Sequence, residues 1–228
     1  MLSDREHDLT VTSSSAETDA AASALISRYG LSTRQRVVLY TGTFEPYQGL
    51  EMLVDSAPAV IRARRDIGFV CLGGTHSQVD RIRARACEQD VGDYFILPGM
   101  VPPEEVEAHY NIASVLVSPR VSGTNTPLKI YSYLRSGVPI VATNILSHTQ
   151  VLTPDVAYLV EPHPESLAAG ILALLDDSQL RQRLAEGAQR LANELYPPQR
   201  YHAKVAEVFS FLASRRQGTH ARAGSSQG

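Results

Sequence analysis

The sequence predicts an α/β fold, a Rossmann-like six-stranded parallel sheet with helices on both faces. Two observations carry that expectation. Six short apolar runs alternate with helical stretches, the pattern of a parallel sheet covered on both sides. Right-handed crossovers then place every strand-to-helix loop along one edge, the carboxyl edge, where open sheets of this kind bind ligands.

Taken in order, residues 1–17 are polar and serine-rich (Ser13-Ser14-Ser15) and read as a flexible lead-in. Thr18 is placed to cap a helix over Asp19–Tyr29, closed by Gly30. Arg36–Thr41 is the first strand, and it runs into the glycine-bounded loop Gly42–Gly49. An amphipathic helix follows from Leu50 to Arg64, with Pro58 expected to kink or split it. Ile67–Gly73 is the second strand, then a helix over Ser77–Gln89, then a third strand at Tyr94–Leu97. Pro102-Pro103-Glu104-Glu105 opens a helix with acids in its first turn, where the helix dipole favours them. Val115–Pro119, Val138–Thr143 and Ala157–Glu161 are the remaining strands. Helices over Pro164–Leu175, Ser178–Leu195 and Pro197–Ala213 close the fold. The domain thus spans residues 18–214, and residues 215–228 read as a disordered tail.

Residues 115–143 form the centre of this plan. Ser122–Asn125 supplies turn residues, Thr126-Pro127 reads as an N-cap with proline at the first helical position, and Gly137 ends the helix. A helix opening there offers free amides at Leu128 and Lys129 to an anion. Lys129 lies in the first turn, the unfavourable end for a cation without a negative neighbour. No Asp or Glu occurs from Ala108 to Pro154, whereas Arg120, Lys129 and Arg135 all do. A solvated surface with chance clustering of charge is the competing reading.

Composition excludes several classes. Hydrophobic residues make up 43%, charged residues 20%, and the net charge is −3, without the basic surplus of a nucleic-acid binder. Cys71 and Cys87 have no metal-like spacing, and Cys71 falls in a strand as a small core residue. The N-terminus lacks the apolar core of a signal peptide and no apolar run spans a bilayer, so a cytoplasmic location is expected. The phosphate-loop and dinucleotide fingerprints are absent. No nucleophile–base pair shows by spacing, so no catalytic residue is assigned. His109 and Tyr110 read as structural residues on a helix, His148 sits in a crevice loop, and Glu45 faces either a sugar hydroxyl or water.

Three stretches together resemble a known family: YTGTFEPYQGLEML, PGMVPPEEVEAHYNIASVLVSP and NTPLKIYSYLRSGVPIVAT. They are similar to the carboxyl-terminal, donor-binding half of retaining GT-B glycosyltransferases of the group-one family, over about residues 19–213. The resemblance implies a nucleotide-sugar donor as substrate, with no cofactor or metal, and an acceptor domain facing this one across the crevice. By position, Gly42, Thr43 and Gln48 would lie in the first loop under the diphosphate. Met100 and Val101 would meet the base. Thr124, Asn125, Thr126, Leu128 and Lys129 would hold sugar and diphosphate, and Ser132 the ribose. The sequence departs from the family at four charged positions: an Arg and a Lys are replaced by Thr43 and Gln48, and two glutamates by Thr124 and Ser132. Lys129 is placed to restore positive charge. At 228 residues the chain holds one such domain, so it reads as a split enzyme with its acceptor domain on a separate polypeptide, or as a fragment. Membrane contact would come only through acceptor or partner. A non-catalytic nucleotide-binding or partner-binding module derived from such an enzyme is the alternative.

Overall fold

A computed structural model of the chain describes residues 7–195. Two compact units divide the chain, residues 1–189 and 190–228, and the second is described only over 190–195. The helix expected at Pro197–Ala213 and the tail 215–228 lie outside the described residues.

Helix α1 (His7–Arg28) precedes β1 (Arg36–Thr41), α2 (Leu50–Ala63), β2 (Ile67–Leu72), α3 (His76–Glu88), β3 (Phe95–Gly99), α4 (Pro103–Tyr110) and β4 (Val115–Ser118). Then come α5 (Lys129–Arg135), β5 (Ile140–Thr143), α6 (Leu146–Thr149), β6 (Tyr158–Val160), α7 (Pro164–Asp176) and α8 (Ser178–Leu195). The six strands form one sheet in the order β3-β2-β1-β4-β5-β6, and every neighbouring pair is parallel. Strand order reverses between β1 and β4, which opens a crevice at their carboxyl ends.

Burial explains the run-like sequence of the strands. All of β2, β4 and β5 is buried, and β1 is buried from Val37 onward, because helices cover both faces. The edge strand β3 is only partly buried along its length. Helix α2 turns Leu53, Val54, Ala57, Val60 and Ile61 into the core and packs against α7. It passes through Pro58 as one helix, so the expected split does not occur. Proline forgoes only one intrahelical bond, and the buried face around it outweighs that loss.

The N-terminal expectation also needs correction. Residues 1–17 were predicted as a flexible lead-in, yet α1 begins at His7, well before the Thr18 cap. Its carboxyl end is held to α4: Tyr29 Oη lies 2.7 Å from His109 Nε2, and Arg28 pairs with Glu105 at 3.2 Å. His109 is fully buried, and burial lowers its pKa, so it is a structural histidine.

Register positions the site. Strands β1 and β2 pair without interruption from Arg36–Ile67 to Thr41–Leu72, so both release their loops at the same level. The Gly42 amide donates to Leu72 O at 3.0 Å, and the Gly73 amide to Gly99 O at 2.7 Å.

Candidate functional site

The loops after β1, β4 and β5 are locked together at the carboxyl edge. The Val121 amide donates to Tyr47 O at 2.9 Å. Gly49, at φ +74°, rests on the Pro119 carbonyl so closely that any Cβ would collide with it. Thr143 Oγ1 donates to Arg120 O at 2.5 Å, and Gln150 Nε2 to Thr124 O at 2.8 Å. Thr126 Oγ1 donates to Gln150 Oε1 at 3.3 Å. The Gln78 amide reaches Glu45 Oε1 at 2.9 Å, tying the first loop to α3.

Lys129 is the centre of this assembly. Its Nζ donates to Gln48 Oε1 at 3.3 Å and lies 4.0 Å from the centre of the Tyr40 ring. A Cβ placed on Gly42 would stand 3.3 Å from the same nitrogen. The ammonium therefore sits between Gly42 and Gln48, inside the first loop. Lys129 keeps some contact with solvent along its length, but this charged end is enclosed. Desolvation, with repulsion from Arg120 adding to it, pushes its pKa down to about 7. The nearby Cys71 thiol is buried and its pKa is raised for the same reason.

Arg120, which is only 5% exposed, shapes the second loop from within. Its Nε donates to Ser122 O at 2.6 Å, Nη1 to Asn125 O at 3.1 Å, and Nη2 to Asn125 Oδ1 at 3.1 Å. The guanidinium also lies 5.1 Å from the centre of the Tyr47 ring. Gly123 makes room, because a Cβ there would strike the guanidinium. Neither Lys129 nor Arg120 meets a carboxylate among the described residues. Two enclosed cations without a counter-ion make the crevice electropositive.

The start of α5 differs from the sequence prediction. The helix begins at Lys129 with Leu128 as N-cap, and neither Thr126 nor any other side chain caps it. Ile130 and Tyr131 bond back to Pro127 and Leu128 carbonyls in a tight first turn. Thr126 instead donates its hydroxyl to Gln150 Oε1. Leu128 is 84% exposed.

The other named positions scatter more widely. Gly42, Thr43, Thr124 and Asn125 are exposed on the two loops, and Thr43 O accepts from Tyr40 Oη at 2.6 Å. Met100 is 77% exposed after β3, and no hydrogen bond joins it or Val101 to the Lys129 cluster among the described residues. Ser132, one turn beyond Lys129, lines the same groove as Tyr110. His148 does not face the crevice: it is fully buried, 2.8 Å from Ser118 Oγ and 2.9 Å from Thr143 O. Burial pushes its pKa down to about 4, so it is a neutral pin between the ends of β4 and β5. Tyr40, Tyr47 and the loop-shaping role of Arg120 went unread in the sequence. Tyr40 looks like any apolar strand residue there, and no spacing marks a cation stacked on an aromatic ring.

Comparison with known proteins fits this geometry. The family model described as "Glycosyl transferases group 1" matches residues 23–191. Alpha-D-kanosaminyltransferase of Streptomyces kanamyceticus is 26% identical over 183 residues, 79% of this chain and 47% of that protein. D-inositol 3-phosphate glycosyltransferase of Acidothermus cellulolyticus is 28% identical over 170 residues, 71% of this chain and 38% of that protein. The chain thus spans less than half the length of these curated relatives. Among solved structures, Anabaena HepE in complex with UDP and glucose has a TM-score of 0.72 at 16% identity, over 84% of this chain and 52% of that one. The C-terminal domain of a group 1 glycosyl transferase from Francisella tularensis has a TM-score of 0.64 at 17% identity, over 73% of this chain and 88% of that one. Both show the same fold.

Proposed function

From the premise that this chain belongs to the group 1 glycosyl transferases, we propose that it is the donor-binding half of a retaining glycosyltransferase, working with an acceptor domain outside these residues. The donor is a nucleoside-diphosphate sugar, and its diphosphate lies over Gly42 and against Lys129. The observation that carries this reading is the position of the Lys129 ammonium. It occupies the first loop beside Gln48, 3.3 Å from its Oε1, where the resemblance calls for a basic side chain. Positive charge lost from Thr43 and Gln48 is thereby returned from α5.

Anabaena HepE, a structural neighbour, was solved with UDP-glucose, which supports a nucleotide-sugar as ligand. In this reading Lys129 and the loop held by Arg120 meet the charge that grows on the departing diphosphate. The acceptor attacks from the face the diphosphate leaves, and no side-chain nucleophile is required. Thr124 and Ser132, neutral where glutamates are expected, leave sugar and ribose with weaker polar contacts. That weakness favours a second reading, a nucleotide-binding module without transfer activity.

A nucleotide panel in a thermal-shift assay tests the proposal, since a ligand that binds only the folded state raises Tm. Stabilisation by nucleoside diphosphates but not by nucleosides supports the diphosphate site. No shift with any of them at millimolar concentration would overturn it.

A further inference from the structure

Lys129 and Lys204 are the two lysines of the sequence, and Lys204 lies outside the described residues. The Lys129 amine has the surroundings of a nucleophile rather than of an ion pair. Its hydrogen bond runs to a neutral amide oxygen, Gln48 Oε1 at 3.3 Å, and no carboxylate reaches it among the described residues. The Tyr40 ring lies against it at 4.0 Å, and burial strips water from the nitrogen. Arg120 adds a second positive charge nearby. Desolvation and a neighbouring cation are two means by which a lysine is made nucleophilic. An amine with a pKa of about 7 is roughly half neutral at pH 7, against about 1 in 3,000 for an ordinary lysine.

The approach to this amine selects its reagent. Gly42 is exposed and carries no side chain, and a Cβ there would stand 3.3 Å from Nζ. A small group can therefore reach the nitrogen over Gly42. From Ala108 to Pro154 the sequence has no acid, and Arg120 and Lys129 both lie in that stretch. A crevice lined in this way draws in anions and concentrates them beside the amine. The reagent that fits is small, anionic and electrophilic at once. An acyl phosphate meets all three conditions, with its phosphate as the anion and its acyl carbon as the electrophile.

We propose that Lys129 is an acylation site, taking the acyl group of a small acyl phosphate such as acetyl phosphate. The lone pair of the neutral Nζ attacks the acyl carbon and forms a C–N bond. The C–O bond to phosphate breaks, the phosphate leaves with the electron pair, and one amine proton passes to it or to water. The products are an amide at Lys129 and inorganic phosphate. The amide carries no charge, so acylation removes the cation from the first loop. A bound diphosphate and acylation exclude one another, since both need the same nitrogen. The modification depends on the electropositive crevice; the nucleotide reading above enters only through that exclusion.

The test is incubation of the full chain with acetyl phosphate at about pH 7, following acetylation of Lys129 and Lys204 by peptide mass spectrometry. Lys129 should react at least roughly tenfold faster than Lys204, a margin well inside the difference in neutral amine. An uncharged acetylating ester should show a smaller preference, and guanidinium chloride should erase it altogether. Lys129 reacting no faster than Lys204 would overturn the proposal, as would a preference that survives unfolding. An equal preference with the uncharged ester would overturn the acyl phosphate as the reagent. GDP and UDP should slow acetylation at Lys129 and leave Lys204 alone. Failure of both to protect, with the Lys129 preference intact, would remove the diphosphate site and leave the acylation site standing.

Discussion

Lys129 carries the sharpest consequences at the scale of single residues. Its ammonium is enclosed by Tyr40, Gln48 and Gly42, and desolvation with repulsion from Arg120 lowers its pKa to about 7. A diphosphate would supply the missing counter-charge and raise the pKa again. Lys129→Ala should therefore weaken nucleoside-diphosphate binding by about 1.5–3 kcal/mol, the value of a hydrogen bond to a charged group, as read by calorimetry. Arg135→Ala, further along α5, should cost less at the diphosphate. The same geometry makes affinity depend on pH. Below about 7 the ammonium is already formed, and above it each binding event must take up a proton. Affinity should then decline as pH rises past 7, with proton uptake visible when titrations are repeated in buffers of different ionisation heat. Lys129→Ala should abolish that uptake. His148 acts oppositely, through stability. Its folded pKa is lowered to about 4 from the ordinary 6.5, so the unfolded chain takes a proton first as pH falls. Stability is complete above 6.5 and is lost progressively down to about 4. His148→Asn should flatten the fall in Tm over that window, while costing about 1–3 kcal/mol at neutral pH through unpaired groups on Ser118 and Thr143.

Between elements, the loops matter more than the strands they leave. Gly49 takes a left-handed conformation against the Pro119 carbonyl, so two loops from different strands meet with no side chain between them. Gly49→Ala adds about 1–2 kcal/mol of backbone strain, before the collision with Pro119 is counted. A drop in Tm of at least 2–4 °C per kcal/mol should follow for a chain of roughly this size. An unchanged Tm would mean that the loops part freely. Contacts of this kind mark the limit of what the sequence discloses. Strand positions were legible because apolar runs report burial directly, and all six formed within a residue or two of the expected bounds. The acid-free window around Lys129 was legible because charge is a local property of sequence. The start of α5 was not, because the helix opens at Leu128 with no side-chain cap and Thr126 bonds instead to Gln150, from beyond β5. Nor was the burial of His148, since a polar residue in a loop reads the same whether it faces water or pins two strands. Arg120 was visible as a charge but not as the organiser of its own loop, because its bonds to Ser122 O and Asn125 O leave no mark in residue type.

For the whole molecule, the carboxyl edge of the sheet sets what this domain can do. The sheet order β3-β2-β1-β4-β5-β6 ends all its loops on one edge, and Tyr47, Met100, Val121, Leu128 and Leu146 are exposed in the segments that leave it. A donor held there has one side against Lys129 and the other toward solvent. Positioning two reactants accounts for about 7–11 kcal/mol of a barrier, and that contribution requires an acceptor held in place. In the proposed reading, neutral residues at Thr43, Gln48, Thr124 and Ser132 reduce the grip on the donor as well. The chain by itself should accordingly bind a nucleoside diphosphate near the millimolar end of the affinity scale. It should transfer no sugar from labelled nucleotide-sugars to lipid or glycan acceptors. Adding a polypeptide that carries the acceptor domain should restore transfer, and Lys129→Ala should weaken the restored activity. Multiple turnovers by the chain alone would show that it positions its own acceptor, and the donor-half proposal would fall.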